Sequence, residues 1–183
     1  MHRNSPAGIV MIAFLTTTLA GVAIAGETSG HHHDHHQQPA KRTMFADLAR
    51  SYESIRLALF GDSLEGLSDE ARSIEQRTAS LLADFDAERA GVPAASAPEC
   101  KPLLPKIVKA ANQLAGASTL ADARAAFGEL SEPLIRYREL TRAHRPVVAY
   151  CAMAKKSWLQ PEGEIGNPYY GQRMARCGEI VSR

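Results

Sequence analysis

Two cysteines and two methionines fall in two short segments of the chain. Cys151 and Met153 form a C-x-M segment, and Met174 and Cys177 form an M-x-x-C segment. Positions i and i+2 of a strand share a face, as do positions i and i+3 of a helical turn, so both spacings allow sulfurs to converge. Thiolate and thioether sulfurs select soft ions, Cu(I) above all. If the two segments meet, the sequence predicts a soft-metal site made of these four side chains.

The same sulfur atoms also have a purely structural interpretation. In an exported protein, Cys151 and Cys177 could form a disulfide. A flexible thioether also fills gaps in a core, so both methionines could simply pack. The chain has a third cysteine, Cys100, and three cysteines allow three single pairs, so the connectivity stays open at this point.

A histidine run near the start of the chain offers a second set of ligands. Neutral imidazoles bind Zn, Cu(II) and Ni, and Asp34 interrupts the run with a carboxylate. We expect adaptable, weakly selective metal binding here. A cloning tag and a solvated linker without a role are the alternatives. The candidate ligands are His31, His32, His33, His35 and His36.

The first 25 residues have the pattern of a secretory signal peptide. Arg3 precedes an uncharged apolar run that ends in Ala23-Ile24-Ala25, an A-x-A cleavage sequence. The run is short for a membrane anchor, so we expect cleavage after about Ala25, no stable membrane span afterwards, and a periplasmic protein. Residues 26–42 are polar without apolar periodicity and are predicted to be disordered.

Residues 43–183 form a single predicted domain. Apolar residues recur every three or four positions in four segments, which begin near Thr43, Ser68, Pro102 and Leu120. Ser68 is a candidate N-cap for the second segment, and the fourth is predicted to run to about Ala143. We therefore predict an all-α fold: an antiparallel four-helix bundle with a small irregular C-terminal cap, to which a short β-hairpin could belong. Residues 147–153 and 178–182 are the candidate strands, and Pro133 is expected to kink the fourth helix.

Charge and motifs exclude several function classes. The 21 Lys and Arg residues nearly balance 20 Asp and Glu residues, so the chain lacks the positive field expected of a nucleic-acid binder. His144 is the only histidine of residues 43–183, and there is no C-x-x-C-H, Gly-rich phosphate loop or H-E-x-x-H motif. No residue is nominated as a nucleophile or base, and we predict that the protein is not an enzyme.

The C-terminal motifs resemble the DUF3347 family of helical domains. The segments that carry the resemblance are CAMA at 151–154, WL at 158–159, IGNPYYG at 165–171, Met174, and CGE at 177–179, together with the first helix and its turn at 52–71. Such domains occur alone in exported proteins or fused to periplasmic adaptors of copper- and silver-type efflux pumps. The family's proline after the first cysteine is Ala152 here. The resemblance implies a helical bundle with a motif-bearing cap and a link to metal handling.

Two functions are therefore expected from the sequence. The first is an exported metal-binding accessory protein, with copper as the expected metal, that buffers metal or hands it to a component of a heavy-metal efflux system. The second is a non-catalytic structural or interaction module that docks on an efflux or envelope partner, with Cys151 and Cys177 joined in a structural disulfide.

Overall fold

The computed structural model describes residues 42–142 and 145–183. The predicted signal peptide, the histidine run and His144 lie outside these residues. The described part begins with six α-helices and ends with three strands. The helices are α1 Met44–Phe60, α2 Leu67–Ala83, α3 Ala87–Ala90, α4 Ala97–Cys100, α5 Leu104–Ala115 and α6 Leu120–Leu140.

Helix α1 follows the sequence prediction closely. The side chain of Thr43 accepts a hydrogen bond from the backbone N–H of Ala46 and so caps the helix start. The apolar stripe predicted for this helix is buried along its whole length, which confirms the face assigned to the core. Its members are Phe45, Leu48, Tyr52, Ile55 and Leu59.

The start of α2 differs from the prediction. Ser68 was expected to cap the helix, but α2 begins at Leu67 after Gly66, whose φ of 68° makes a left-handed turn. The hydroxyl of Ser68 instead donates to the carbonyl of Ala115, at the end of α5, over 2.9 Å. The side chain thus joins two helices, because α2 and α5 pack against each other.

The third and fourth predicted helices also need correction. The segment before α5 is divided into the short helix α4 and a 3₁₀ turn, Lys101–Leu103, so the helix expected from Pro102 begins at Leu104. Helix α6 ends at Leu140, before the predicted end near Ala143, and contains Pro133 within its length.

The four long helices share one hydrophobic core. Helix α1 packs on α2, α2 on α5 and α5 on α6, while α6 also contacts α1. Leu48, Ile74, Ile107 and Leu130 come from these four helices, and all are fully buried. No helix in residues 42–142 or 145–183 combines the length and the apolar character needed to cross a bilayer.

The C-terminal part is an antiparallel sheet rather than an irregular cap. Its strands are β1 Val147–Cys151, β2 Lys156–Gln160 and β3 Glu179–Ser182, in the order β2-β1-β3. The strands predicted at 147–153 and 178–182 are confirmed as β1 and β3, whereas β2 was missed. The chain is thus mostly helical, as expected, with a more regular end than expected.

Buried hydroxyl groups join the sheet to the helices. The Tyr52 hydroxyl of α1 accepts from the backbone N–H of Leu159 at 3.2 Å and lies 2.6 Å from the hydroxyl of Ser131 on α6. Because Ser131 donates to the carbonyl of Phe127, Tyr52 is the donor to Ser131. The Tyr169 hydroxyl donates to the carbonyl of Ser157 at 2.7 Å. Buried polar groups are paired in this way because an unpaired one is costly.

A second connection fixes the loop between β2 and β3. The guanidinium of Arg124, on α6, donates to the carbonyl of Pro168 at 2.9 Å and forms an ion pair with Asp62 after α1. The other Asp62 oxygen accepts from the backbone N–H of Gln172 at 3.1 Å. These bonds hold the loop against α6 and the turn after α1.

Candidate functional site

The structure brings Cys151 and Cys177 together. Cys151 is the last residue of β1, and Cys177 lies in the turn that leads into β3, which pairs with β1. Their sulfur atoms are 3.1 Å apart. This confirms that the C-x-M and M-x-x-C segments meet at their cysteines, although the two residues are 26 positions apart in the chain.

A glycine allows the second segment to approach so closely. Gly178 has a φ of 147°, and a Cβ there would lie 2.7 Å from the ring of the fully buried Trp158. A side chain at position 178 would push the backbone away from the sheet. The Cys-Gly sequence therefore places the thiol of Cys177 beside that of Cys151.

The turn after Cys151 favours its thiolate. The backbone N–H of Ala154 points at the sulfur over 3.4 Å. Burial alone would raise the pKa of Cys151, but the backbone N–H groups of Ala154 and Met153, the thiol of Cys177 and the amide of Asn167 together lower it. The same N–H groups would stabilise a metal-bound or leaving thiolate.

The pKa of the other thiol, that of Cys177, is shifted in the opposite direction. The hydrogen bond with Cys151, and then burial, raise the pKa of Cys177. The directions of the two pKa shifts therefore favour Cys177 as the donor and Cys151 as the acceptor of the contact between the two sulfurs. Cys151 is fully buried and Cys177 half-buried, so Cys177 is the thiol that solvent reaches.

The two methionines of the predicted site lie in turns and are not buried. Met153 lies in the turn after β1 and is 63 % exposed, with its carbonyl accepting from the hydroxyl of Tyr170. Met174 ends a 3₁₀ turn and is half-buried. Its backbone carbonyl accepts a hydrogen bond from the backbone N–H of Cys177 at 3.0 Å. Neither is a core residue, so the packing interpretation does not account for Met153.

Asn167 was missed as a site residue. It is fully buried, and its side-chain N–H donates to the carbonyl of Cys177 at 2.6 Å. Its side-chain oxygen accepts from the backbone N–H groups of Tyr169 and Tyr170. The Asn-Pro sequence could have indicated this role, because asparagine commonly bonds the backbone two residues further on in a turn.

The separation of the two sulfurs bears on both sequence interpretations. Two thiolates bound tetrahedrally at ~2.3 Å from one ion lie about 3.8 Å apart, so metal binding requires Cys151 and Cys177 to separate slightly. A disulfide requires the sulfurs to approach by about 1 Å. In the described ranges, no group of three His, Cys, Asp or Glu side chains could hold an ion, so further ligands would be thioethers or come from elsewhere.

Cys100 belongs to a different environment. It is fully buried in α4 and hydrogen-bonds with Tyr137 of α6. Burial raises the pKa of its thiol to about 11. A thiol that is neutral and enclosed in the core is a packing residue. The histidines predicted as ligands lie outside the described residues.

No protein-family model, no curated protein and no solved structure matches this chain.

Proposed function

We propose that this chain is an exported, periplasmic metal-binding accessory protein that carries a soft ion, copper above all. The observation that supports this most directly is the meeting of two thiols, 3.1 Å apart, beside backbone N–H groups that favour a thiolate. Soft sulfur ligands prefer Cu(I). The half-buried position of Cys177 would allow the ion to enter and leave.

The remaining ligands have assigned roles in this proposal. The exposed thioether of Met153 would capture the ion first, and Met174 would complete the coordination. The histidine run, His31–His36, would collect Cu(II), Zn or Ni. The protein would buffer the metal or hand it to a component of a heavy-metal efflux system. Binding rather than catalysis is its activity, and nucleic acid is not a partner.

The fold forms part of the same proposal. The resemblance to the DUF3347 family supports an antiparallel four-helix bundle made by α1, α2, α5 and α6, and the contacts between these helices agree with it. In this arrangement the bundle supports the sheet, and the end of β1 together with the turns beside it carries the metal-binding residues.

A Cu(I) competition titration against a chromogenic chelator tests the proposal. The mature chain with residues 31–36 deleted is titrated under reducing conditions, so that the histidine run cannot contribute to the measured Cu(I) binding. We expect one ion per chain, and loss of this binding in both Cys151→Ser and Cys177→Ser.

Cys100→Ala is the matched control, because it removes a thiol that lies in the core. Binding should persist in this variant. Unchanged Cu(I) binding in Cys177→Ser, or no binding by the parent chain, would reject the sulfur site and leave metal chemistry to the histidine run alone.

One observation favours a second candidate, a structural module closed by a disulfide. The sulfurs are nearer to each other than two ligands of one tetrahedral ion would be. Joining residues 26 positions apart would restrict the unfolded chain by about 3.5 kcal/mol in the loop-entropy model.

The redox state of the purified protein decides between the candidates. Protein taken from the periplasm is alkylated at once and its mass measured, and its melting temperature is compared before and after reduction. A structural disulfide predicts one free thiol, Cys100, and a fall of roughly 10 °C on reduction. Three alkylated cysteines would rule this candidate out.

A further inference from the structure

The two thiols of the pair differ in access to the solvent. Cys151 is fully buried at the end of β1, whereas Cys177 is half-buried in a turn. A reagent from solution can therefore reach the Cys177 sulfur while Cys151 remains covered. Exchange between a thiol and a disulfide requires the incoming sulfur to reach one particular sulfur of the bond.

The sulfur atoms of Cys151 and Cys177 also differ in how well the protein stabilises each one as a leaving thiolate. The backbone N–H of Ala154 lies 3.4 Å from the Cys151 sulfur, within the turn 152–155. The backbone N–H of Met153 bonds both sulfurs, so the N–H of Ala154 is the backbone donor that distinguishes Cys151. The side chain of Asn167 bonds the backbone carbonyl of Cys177. The sulfur whose thiolate is better stabilised leaves faster.

We propose that Cys151 and Cys177 form a thiol–disulfide exchange site with a preferred direction, at which a small-molecule thiol forms a mixed disulfide with Cys177 in preference to Cys151. The incoming thiolate attacks the Cys177 sulfur and forms the new S–S bond. The electron pair of the original bond passes to the Cys151 sulfur, which leaves as a thiolate beside Ala154.

The reverse step restores the disulfide. The Cys151 thiolate attacks the Cys177 sulfur of the mixed disulfide, 3.1 Å away in the reduced pair, and expels the small thiolate. A second thiolate can instead attack the mixed disulfide and release Cys177, which completes a two-electron reduction. Cys177 is thus the residue that accepts a thiol modification, and Cys151 is the resolving residue.

The inference concerns the same pair as the proposed metal site but rests on thiol chemistry alone. It is tested without metal, in the presence of a chelator, so that its failure leaves the Cu(I) titration unaffected. The mature chain carries Cys100→Ala throughout, because a third thiol would confuse the assignment.

Reduced glutathione is the probe. The oxidised protein is mixed with it for increasing times, quenched with acid, and alkylated, and the modified peptides are mapped. We expect glutathione on Cys177 and the alkyl group on Cys151, exceeding the opposite pattern by about tenfold or more. Equal labelling, the opposite pattern, or a chain that forms no disulfide would overturn the proposal.

A second measurement applies when the mixed disulfide is too short-lived to map. Cys151→Ser leaves only Cys177, and Cys177→Ser leaves only Cys151, and both react with a chromogenic disulfide reagent. Folding is checked by near-UV circular dichroism, and alanine replaces serine where a variant does not fold. Cys177 should react about tenfold faster or more. Equal rates would overturn the direction of exchange.

Discussion

The side-chain amide of Asn167 donates to the backbone carbonyl of Cys177 over 2.6 Å, from a fully buried position. One asparagine thus fixes the loop after β2 and the residue that faces Cys151. This bond and the pairing of β3 with β1 both hold the backbone beside the second thiol.

Replacing Asn167 with Ala should weaken both the fold and the thiol pair. The carbonyl of Cys177 and two loop N–H groups lose their partner, which should cost about 2 kcal/mol in chemical denaturation. The disulfide should also form more slowly in a glutathione buffer. Asn112→Ala, at an exposed position of α5, is the control and should change neither quantity. Equal effects of the two variants would show that Asn167 does not position Cys177.

Gly171 is required where the loop meets Asp62. Its φ is 53°, and a Cβ would lie 2.7 Å from the Asp62 carboxyl carbon. Gly66 has a similar φ of 68° but no atom within 4 Å of the added Cβ. Gly66→Ala should therefore cost about 1 kcal/mol for the left-handed backbone alone. Gly171→Ala should cost about 3 kcal/mol, because the ion pair of Asp62 must also move. Equal losses in urea unfolding would contradict the close contact.

The ion pair of Asp62 and Arg124 predicts a dependence of stability on pH. The hydrogen bond from Arg124, and then the backbone N–H of Gln172, lower the pKa of Asp62. A lowered pKa in the folded state stabilises the protein above the unfolded value of about 3.9, and this contribution is lost as pH falls through the folded value.

Comparison of Asp62→Asn with the parent chain measures that contribution. The difference in unfolding free energy should be constant from neutral pH down to about pH 5 and shrink below about pH 4. In an Arg124→Gln background the pH-dependent part should become much smaller. A difference that stays constant down to pH 2 would contradict the lowered pKa.

Arg56 anchors the same loop on α1. Its side chain is 8 % exposed, donates to the carbonyl of Gly166 at 2.7 Å, and bonds Glu53 through its other nitrogens. Arg56→Met should cost about 2 kcal/mol, because the Gly166 carbonyl loses its donor. Arg50, on the same helix, pairs with Asp47 but is 59 % exposed. Arg50→Met should cost less than about 0.5 kcal/mol. Thermal unfolding that ranks the two variants equally would refute the anchoring role.

The helical part was predictable because its signals are local. The stripe from Phe45 to Leu59 follows one period and lies in the core. Ser68 misled the prediction because a serine before a helix serves as a cap only when its side chain turns back to the backbone, and here it bonds Ala115 of another helix. That choice is made by tertiary packing, which no local pattern contains.

The candidate site was partly predictable. Spacing allowed Cys151 and Cys177 to meet, and they do. Strand β2 was missed because Trp158, Leu159 and Gln160 are all buried, so the segment lacks the alternation typical of a half-exposed strand. The roles of Asn167 and Arg56 depend on contacts between distant parts of the chain, which the sequence does not reveal.

The hydroxyl groups of Tyr52, Ser131 and Tyr169 lie between the helices and the sheet, and each part supplies partners that the other needs. If the chain were cut before Val147, Tyr52 would lose the Leu159 N–H and the apolar face of α6 would lose its cover. The sheet therefore could not be grafted onto another bundle without leaving these groups unpaired. We expect the helices and the sheet to unfold together in one cooperative transition.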